Sequence, residues 1–403
     1  MNLFKDSDRS FDSCLKCTAC SSRCPVASVR PDFPGPKQCG PDGERLRLKS
    51  PDFLDEALKY CTGCKRCEVA CPSDVHISDI IADAKARYGK GNKFKIREFL
   101  LSHTDLMGTM TRGTAPIVNA VTKTKTAKVV MHKALGIDQR RQFPPYAHKS
   151  FRSWYKAELE DKQVFARNVS YFHGCFVNYN LPELGIDTIK VLNAMNIGVQ
   201  LLKKEKCCGV PLVANGFHKK AKANARFNTD SIEQAIDSGS ECVISTSSSC
   251  AFMLREDYPR MLGETEGNPH QQVNYITRFL TQEFKNGNKP ELKPVNLRVG
   301  YHSPCHLIRS GGVLHTLSLL REIPGLQLHQ LESNCCGIAG TYGFKKENYN
   351  TSQDIGEPLF HQIEEGEFDY IVTDCETCKM QIEMSTSAEV IHPVSLLARA
   401  LDV

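Results

Sequence analysis

Tyr171-Phe-His-Gly-Cys175, Lys204-Glu-Lys-Cys-Cys-Gly209 and Ser247-Ser-Ser-Cys250 return later in the chain as Tyr301-His-Ser-Pro-Cys305, Glu332-Ser-Asn-Cys-Cys-Gly337 and Cys375-Glu-Thr-Cys378. The three landmarks keep an offset of about 128–130 residues, so one unit has been duplicated. Each follows a β-rich run, as in NVSYFHGC (168–175) and LRVGYHSPC (297–305), and precedes a helical pattern such as LGIDTIKVLNAM (184–195). Strand, cysteine loop and helix, three times per half, is the pattern of a parallel α/β sheet. Sites in such sheets form beyond the carboxyl ends of the strands, so the three loops of a half should converge their thiols on one point. The halves span 167–296 and 297–403. The second offers Cys305, Cys335, Cys336, Cys375 and Cys378. The first offers Cys175, Cys207, Cys208 and Cys250, with Ser247 where the second half has Cys375 and at best a weak oxygen ligand. Buried cysteines acting as small hydrophobes would not recur at matched loop positions; Cys242, inside a strand pattern, fits that role better.

Ahead of the repeat, Cys14-x2-Cys17-x2-Cys20-x3-Cys24-Pro25 is repeated as Cys61-x2-Cys64-x2-Cys67-x3-Cys71-Pro72. Three thiolates at two-residue spacing wrap one cubane, and the fourth, followed by proline, reaches the neighbouring one. Cys14, Cys17, Cys20 and Cys71 are therefore assigned to one [4Fe–4S] cluster, and Cys24, Cys61, Cys64 and Cys67 to a second. A pair of zinc sites shares the C-x2-C spacing but not the 2-2-3 order with proline. Cys39, in PGPKQCGPDG (34–43), lies outside both motifs. Residues 52–60 place Phe53, Leu54, Ala57 and Leu58 on one helical face, and Ser78 should cap a helix closing at Gly89. The fold class is thus an α-helical two-cluster ferredoxin domain over 1–90, a basic helical connector over 91–166, and two repeated α/β halves with parallel sheets.

The connector carries the charge. Residues 85–162 hold a net +11, leaving −6 on the rest of a chain whose total is +5. Ile117, Val118, Ala120, Val121, Val129, Val130, Ala134 and Leu135 recur near helical spacing, interleaved with Lys123, Lys125, Lys128 and Lys133. That pattern reads either as an interfacial helix on an anionic membrane surface or as a helix packed on a neighbouring domain. RQFPPY (141–146) reads as a linker. The mild overall charge gives no reason to expect a nucleic-acid partner. Nineteen cysteines, an odd count, without an apolar export segment at the start, suggest metal or redox chemistry in a reducing compartment rather than disulfides. No apolar run approaches the ~18–20 residues of a membrane-spanning helix. No G-x-G-x-x-G occurs, so neither flavin nor NAD is expected here; Gly337, Gly340 and Gly343 read as room for backbone near a cluster. His302 and His306 flank Cys305, either as proton donors to a reducing quinone or as hydrogen-bond partners of sulfur and backbone.

The Cys…CCG…CxxC halves resemble the cysteine-rich CCG domains of heterodisulfide reductases and of glycolate and lactate oxidation iron–sulfur subunits. Along PGPKQCGPDGERLRLK (34–49), DEALKYC (55–61), KRCEVACPSDV (65–75), LSHTDLMG (101–108), FHGCFVNYN (172–180), EKCCGVPL (205–212), CCGIAGTYGFKKENY (335–349) and TDCETCKMQIEMSTS (373–387), the chain is similar to the family of iron–sulfur C subunits of anaerobic glycerol-3-phosphate dehydrogenases. The resemblance implies an electron-transfer subunit, not an enzyme by itself, in a complex with a flavin-bearing A subunit and a B subunit. It implies a peripheral position on the cytoplasmic face of the bacterial inner membrane, with menaquinone as acceptor and a membrane-anchoring role. It also implies a third, non-cubane [4Fe–4S] cluster at the five cysteines of the second half. Two alternatives differ in class or partner: a disulfide-reducing enzyme with a pocket open at Cys305, Cys335 and Cys336, or an iron–sulfur subunit of a glycolate or lactate oxidase.

Overall fold

The computed structural model describes residues 3, 10–50, 53, 55–88, 95–160, 164–264 and 269–403. The front segment is helical, with no strand among its described residues. Its longest helix, Ile77–Tyr88, buries Ile77, Ile80, Ile81 and Ala84 against Val26, Phe33 and Leu58. Two details differ from expectation. Ser78 does not cap that helix; its backbone N–H and hydroxyl both donate to the buried Glu68 carboxylate. The stretch 52–60 yields only a 3-10 turn over Glu56–Tyr60, capped by Asp55, with Phe53 exposed; Leu54 and Gly89 lie outside the described residues.

Two four-stranded, all-parallel sheets follow. The first orders β1 (Arg167–Tyr171), β2 (Ile197–Leu201), β3 (Val243–Ser245) and β4 (Val273–Tyr275) as β2-β1-β3-β4. The second orders β5 (Arg298–His302), β6 (Gln327–Gln330), β7 (Tyr370–Thr373) and β8 (Val390–Ile391) as β6-β5-β7-β8, the same topology. Each sheet thus has a fourth strand that the cysteine landmarks did not mark, because no cysteine loop follows it. The two halves share one core: Val169, Tyr171 and Ile189 pack in the same cluster as Val299, Tyr301 and Leu397. Helix Pro182–Ala194 packs on Pro393–Leu401, and Ile276–Lys285 on Val313–Arg321, so the long helix that opens each half meets the last helix of the other.

The connector departs from a single amphipathic helix. Thr124 takes an extended ψ of 142° and caps the next turn, its hydroxyl accepting from Ala127 N–H, so the helices are Ala115–Lys123 and Lys125–Val130. Nor is 141–146 a free linker: Arg141 is fully buried and donates to the Gly343 carbonyl at 2.6 Å and to Ser352 at 2.8 Å. Arg97 adds a pair of hydrogen bonds to Glu347, so the connector is fastened to the second half before the chain enters the first.

At the centre of the first half, Gly185 admits the Phe151 ring so closely that a Cβ would lie 2.5 Å from it. Gly185→Ala should therefore cost about 1–3 kcal/mol, the usual penalty of overpacking. A lowered midpoint in chemical denaturation, with unchanged slope, checks this.

Candidate metal centres and the cysteine loops

Six of the eight front cysteines gather in one cluster. Cys20 and Cys67 are buried within it, and Cys14, Cys24, Cys61 and Cys71 pack against it, while Cys17 is exposed and Cys64 half-buried. Burial raises the Cys20 thiol, with Cys14 and Cys71 as its sulfur neighbours; burial likewise raises Cys67, whose sulfur neighbours include Cys61 and Cys24. Each three-cysteine run therefore lies beside the distant fourth cysteine of the other motif. Both runs use the same backbone device: Lys16 and Thr18 in the first, Gly63 and Lys65 in the second, all have φ between 59° and 69°. Left-handed backbone at three non-glycine positions costs about 1–3 kcal/mol each and persists where geometry is over-determined by function. It curls the loop between successive cysteines in both runs. Residue types alone could not reveal this, since only Gly63 advertises a positive φ.

The second half brings its five thiols into a continuous chain. Cys305 contacts Cys335, Cys335 contacts Cys336, Cys336 and Cys378 lie 3.2 Å apart, and Cys378 contacts Cys375. The chain extends into the front segment, because Cys305 also contacts Cys64. Neighbouring thiols hold Cys305 and Cys336 well below the usual thiol range and push Cys335 and Cys378 above it. His302, 1% exposed, lies with Cys336 and Cys378 in a group whose ligand atoms are all within 4.8 Å, and Cys336 is its hydrogen-bonding neighbour. A buried imidazole among five crowded thiols is a donor set suited to a soft cation. The donor set fits an iron–sulfur centre. Arg66 Nε donates to Cys305 Sγ at 3.3 Å, and its Nη1 donates to the Ser333 carbonyl at 2.6 Å, placing a guanidinium over the junction of the two sets.

The first half is similar but poorer. Cys175 contacts Cys207, Cys207 contacts Cys208, and Cys208 and Cys250 lie 3.2 Å apart. Ser247 is otherwise engaged: its hydroxyl accepts from Cys250 N–H and donates to Glu376 of the second half at 3.0 Å. Phe172, fully buried, stands where the second half has His302, so this site lacks both the fifth thiol and the imidazole.

Other expected residues take different places. His306 is half-buried, stacked on Phe252 at 5.2 Å, and hydrogen-bonded to Ser249 and to the Gly63 backbone; desolvation lowers its pKa. It ties the second half to Ser249 of the first half and to Gly63 of the front segment. Gly337 has φ +83°, and a Cβ there would lie 1.9 Å from the Ser352 carbonyl, so its glycine admits helix Tyr349–Glu365 rather than a cluster. Cys39 is fully buried, and Cys242 lies in the first-half core with its thiol pushed up to about 12 by burial. On the connector, Lys123, Lys125 and Lys133 are exposed and Lys128 is half-buried. Ile117, Val121, Val129 and Val130 are also exposed, Ile117 at 67%, so these side chains are not the buried face of a helix packed on a neighbouring domain.

Comparison with known proteins follows the same divisions. Residues 10–75 match the 4Fe-4S dicluster domain family, and residues 169–255 and 299–383 match the cysteine-rich domain family. The chain is 55% identical over 394 residues to the C subunit of the anaerobic glycerol-3-phosphate dehydrogenase of Escherichia coli K12, covering 98% of this chain and 99% of that one. It is 26% identical to the B subunit of the fumarate reductase (CoM/CoB) of Methanothermobacter marburgensis, over 95% of this chain and 70% of that protein. Identity to the glycolate oxidase iron-sulfur subunit of Escherichia coli K12 is 23%, over 98% and 96% of the two chains.

These placements separate two kinds of cysteine. After anaerobic removal of metal, brief alkylation should modify exposed Cys17 first and leave Cys39 and Cys242 untouched until the protein is unfolded. Peptide mapping by mass spectrometry reads the order.

Proposed function

Because the chain belongs to the family of anaerobic glycerol-3-phosphate dehydrogenase C subunits, we propose that it is an electron carrier and does not itself transform carbon. Iron–sulfur clusters supply one-electron carriers, which suits dividing a two-electron oxidation into single steps. In this reading Cys14, Cys17, Cys20 and Cys71 hold one [4Fe–4S] cluster, and Cys24, Cys61, Cys64 and Cys67 a second. Cys305, Cys335, Cys336, Cys375 and Cys378 hold a third, non-cubane one. The four thiols Cys175, Cys207, Cys208 and Cys250 form a lesser site.

The observation that carries the reading is the contact between Cys64 and Cys305. A thiol of the front set touches a thiol of the second-half set, so no layer of protein separates them. The adjacent Arg66 guanidinium favours the added negative charge on either side of the junction. Electrons would enter from a flavin-bearing A subunit, in a complex that also holds a B subunit, and leave to menaquinone. The alternative of disulfide reduction needs an open thiol face at Cys305, which is half-buried with Arg66 and Cys64 against it.

Peripheral attachment to the cytoplasmic face of the bacterial inner membrane belongs to the same proposal. No helix among the described residues is long and apolar enough to cross a membrane. The support is the connector, where exposed Ile117, Val121 and Val130 lie among Lys123, Lys125, Lys128 and Lys133. A cation near an anionic leaflet contributes about 1 kcal/mol.

Two measurements test these statements. Anaerobically purified protein should hold about twelve iron per chain, and Cys336→Ser should lower this to about eight while removing one distinct EPR signal. About eight iron in the unmodified protein would confine clusters to the front segment. Separately, replacing Lys123, Lys125, Lys128 and Lys133 with Gln should weaken flotation with anionic liposomes, and undiminished flotation at low salt would remove the membrane contact.

A further inference from the structure

His302 ends β5, and its register partner is Thr373 at the end of β7, so the parallel sheet delivers an imidazole to the edge from which the cysteine loops leave. Cys305 follows His302 by three residues, and Cys375 follows Thr373 by two. The Thr373 hydroxyl donates to the His302 carbonyl at 3.0 Å, which fixes the backbone at this point. Successive side chains of a strand face opposite ways: Tyr301 meets Asp374, while His302 meets Cys336. Among the described residues, two groups of three His, Cys, Asp or Glu side chains bring their ligand atoms within 4.8 Å of one another. Only the group of His302, Cys336 and Cys378 contains thiols, and all three of its members are buried. Its third member is an imidazole, not another of the five thiols.

The first half supplies the comparison. Cys208 and Cys250 lie 3.2 Å apart there, as Cys336 and Cys378 do in the second half. The residue matched to His302 is Phe172, which packs in one apolar cluster with Cys207, Cys208 and Cys250. The position therefore accepts an aromatic ring as plain core. Where the ring is an imidazole, the half also carries the fifth thiol; where it is a phenyl, Ser247 stands in place of that thiol. Packing accounts for a ring here but not for its nitrogens, whose burial costs hydration that a phenyl ring never had. Thiolates and imidazole together are donors that suit iron.

Resting on the reading that the second-half thiols hold a third cluster, we infer that His302 is a direct iron ligand of that centre, through one ring nitrogen, alongside Cys336 and Cys378. Imidazole ligates as a neutral group, whereas each thiolate brings a negative charge. Exchange of cysteine for histidine on one iron of a cluster raises its reduction potential. A nitrogen donor at this position thus leaves the second-half centre less negative, and at a higher potential, than a thiolate in its place would. The step from the front segment across Cys64 and Cys305 then runs downhill for the electron. The difference between His302 and Phe172 acquires a redox meaning: one half is tuned to accept electrons and the other is not.

Pulsed EPR on the full, anaerobically purified chain, grown with isotopically labelled histidine, tests this. The distinct signal of the third centre should show a strongly coupled nitrogen whose frequencies change with the label. His306→Gln, which alters the other histidine beside Cys305, should keep that coupling. His302→Cys, which offers a thiolate instead, should keep about twelve iron per chain, lose the nitrogen coupling and move the midpoint potential of the centre to more negative values. His302→Phe, which copies the residue that the first half already accommodates, should lose the coupling too. Loss of the third signal alone in both His302 variants, with a strongly coupled nitrogen in the parent, also supports ligation. Only the weak coupling of an N–H···S hydrogen bond in the parent would overturn the ligand assignment and leave the third cluster standing. So would strong coupling that survives in either His302 variant or vanishes in His306→Gln. About eight iron in the unmodified chain would overturn both readings. Far-ultraviolet circular dichroism and the two cubane signals of each variant separate loss of the ligand from loss of the fold.

Discussion

The buried ammonium group of Lys65 sets the relation between the front segment and the rest of the molecule. It lies 2.8 Å from Asp79 in the front segment and 3.0 Å from Asp257 in the first α/β half, with its side chain only 6% exposed. Desolvating a lysine to this extent is expensive, and removing one partner of such a group typically costs about 3–5 kcal/mol. The two carboxylates therefore hold the residue in one place from two sides. Its neighbours in sequence inherit that placement: Cys64 touches Cys305, and Arg66 donates to the same sulfur. An ion pair to the first half thus delivers a front-segment thiol to the second half.

A second constraint lies between the two α/β halves. Asp374, fully buried and next to Cys375, accepts hydroxyl hydrogen bonds from Tyr275 at 2.8 Å, Tyr301 at 2.6 Å and Thr316 at 2.9 Å. Tyr275 belongs to the first half, so the cysteine loop of the second half is held partly by the first. The matching position in the first half is Thr246, which meets Tyr171 at 2.8 Å. The duplicated architecture has kept the tyrosine and exchanged the acid for a hydroxyl. That exchange parallels Ser247 in place of Cys375 and Phe172 in place of His302. The sheets are nearly equivalent, while the polar groups at their carboxyl ends have diverged toward one five-thiol site and one four-thiol site.

The connector reconciles these demands. Arg97 and Arg141 fasten it to the second half, while Gly108 meets the Tyr179 ring of the first half at a distance where a Cβ would lie 2.3 Å from it. Its remaining face, with Ile117 and Val121 beside lysines, is left to solvent in this chain. Segregated positive charge and exposed apolar side chains are both features of a surface that meets another body.

Much of the fold was legible without coordinates because cysteine spacing and strand–loop–helix order are local properties of the chain. The offset between Cys175 and Cys305 announces the repeat, and the order of Cys14, Cys17, Cys20 and Cys24 announces a helical cluster domain. The five second-half thiols follow from the rule that parallel strands end on one edge. Contacts between segments distant in sequence were not legible. Nothing local to Lys65 or Asp257 marks them as a pair, and Arg141 sits in a Pro-containing stretch that reads as a linker until Gly343 and Ser352 close around it. The break at Thr124 escaped because hydrophobic periodicity does not register a capping hydroxyl. Sequence alone thus determined where the cysteine motifs stand and on what scaffold. Only tertiary structure decided that Cys64 meets Cys305 and that Ser247 is spent on a cap and on Glu376. Those outcomes depend on which buried charges and hydroxyls find partners when the segments pack.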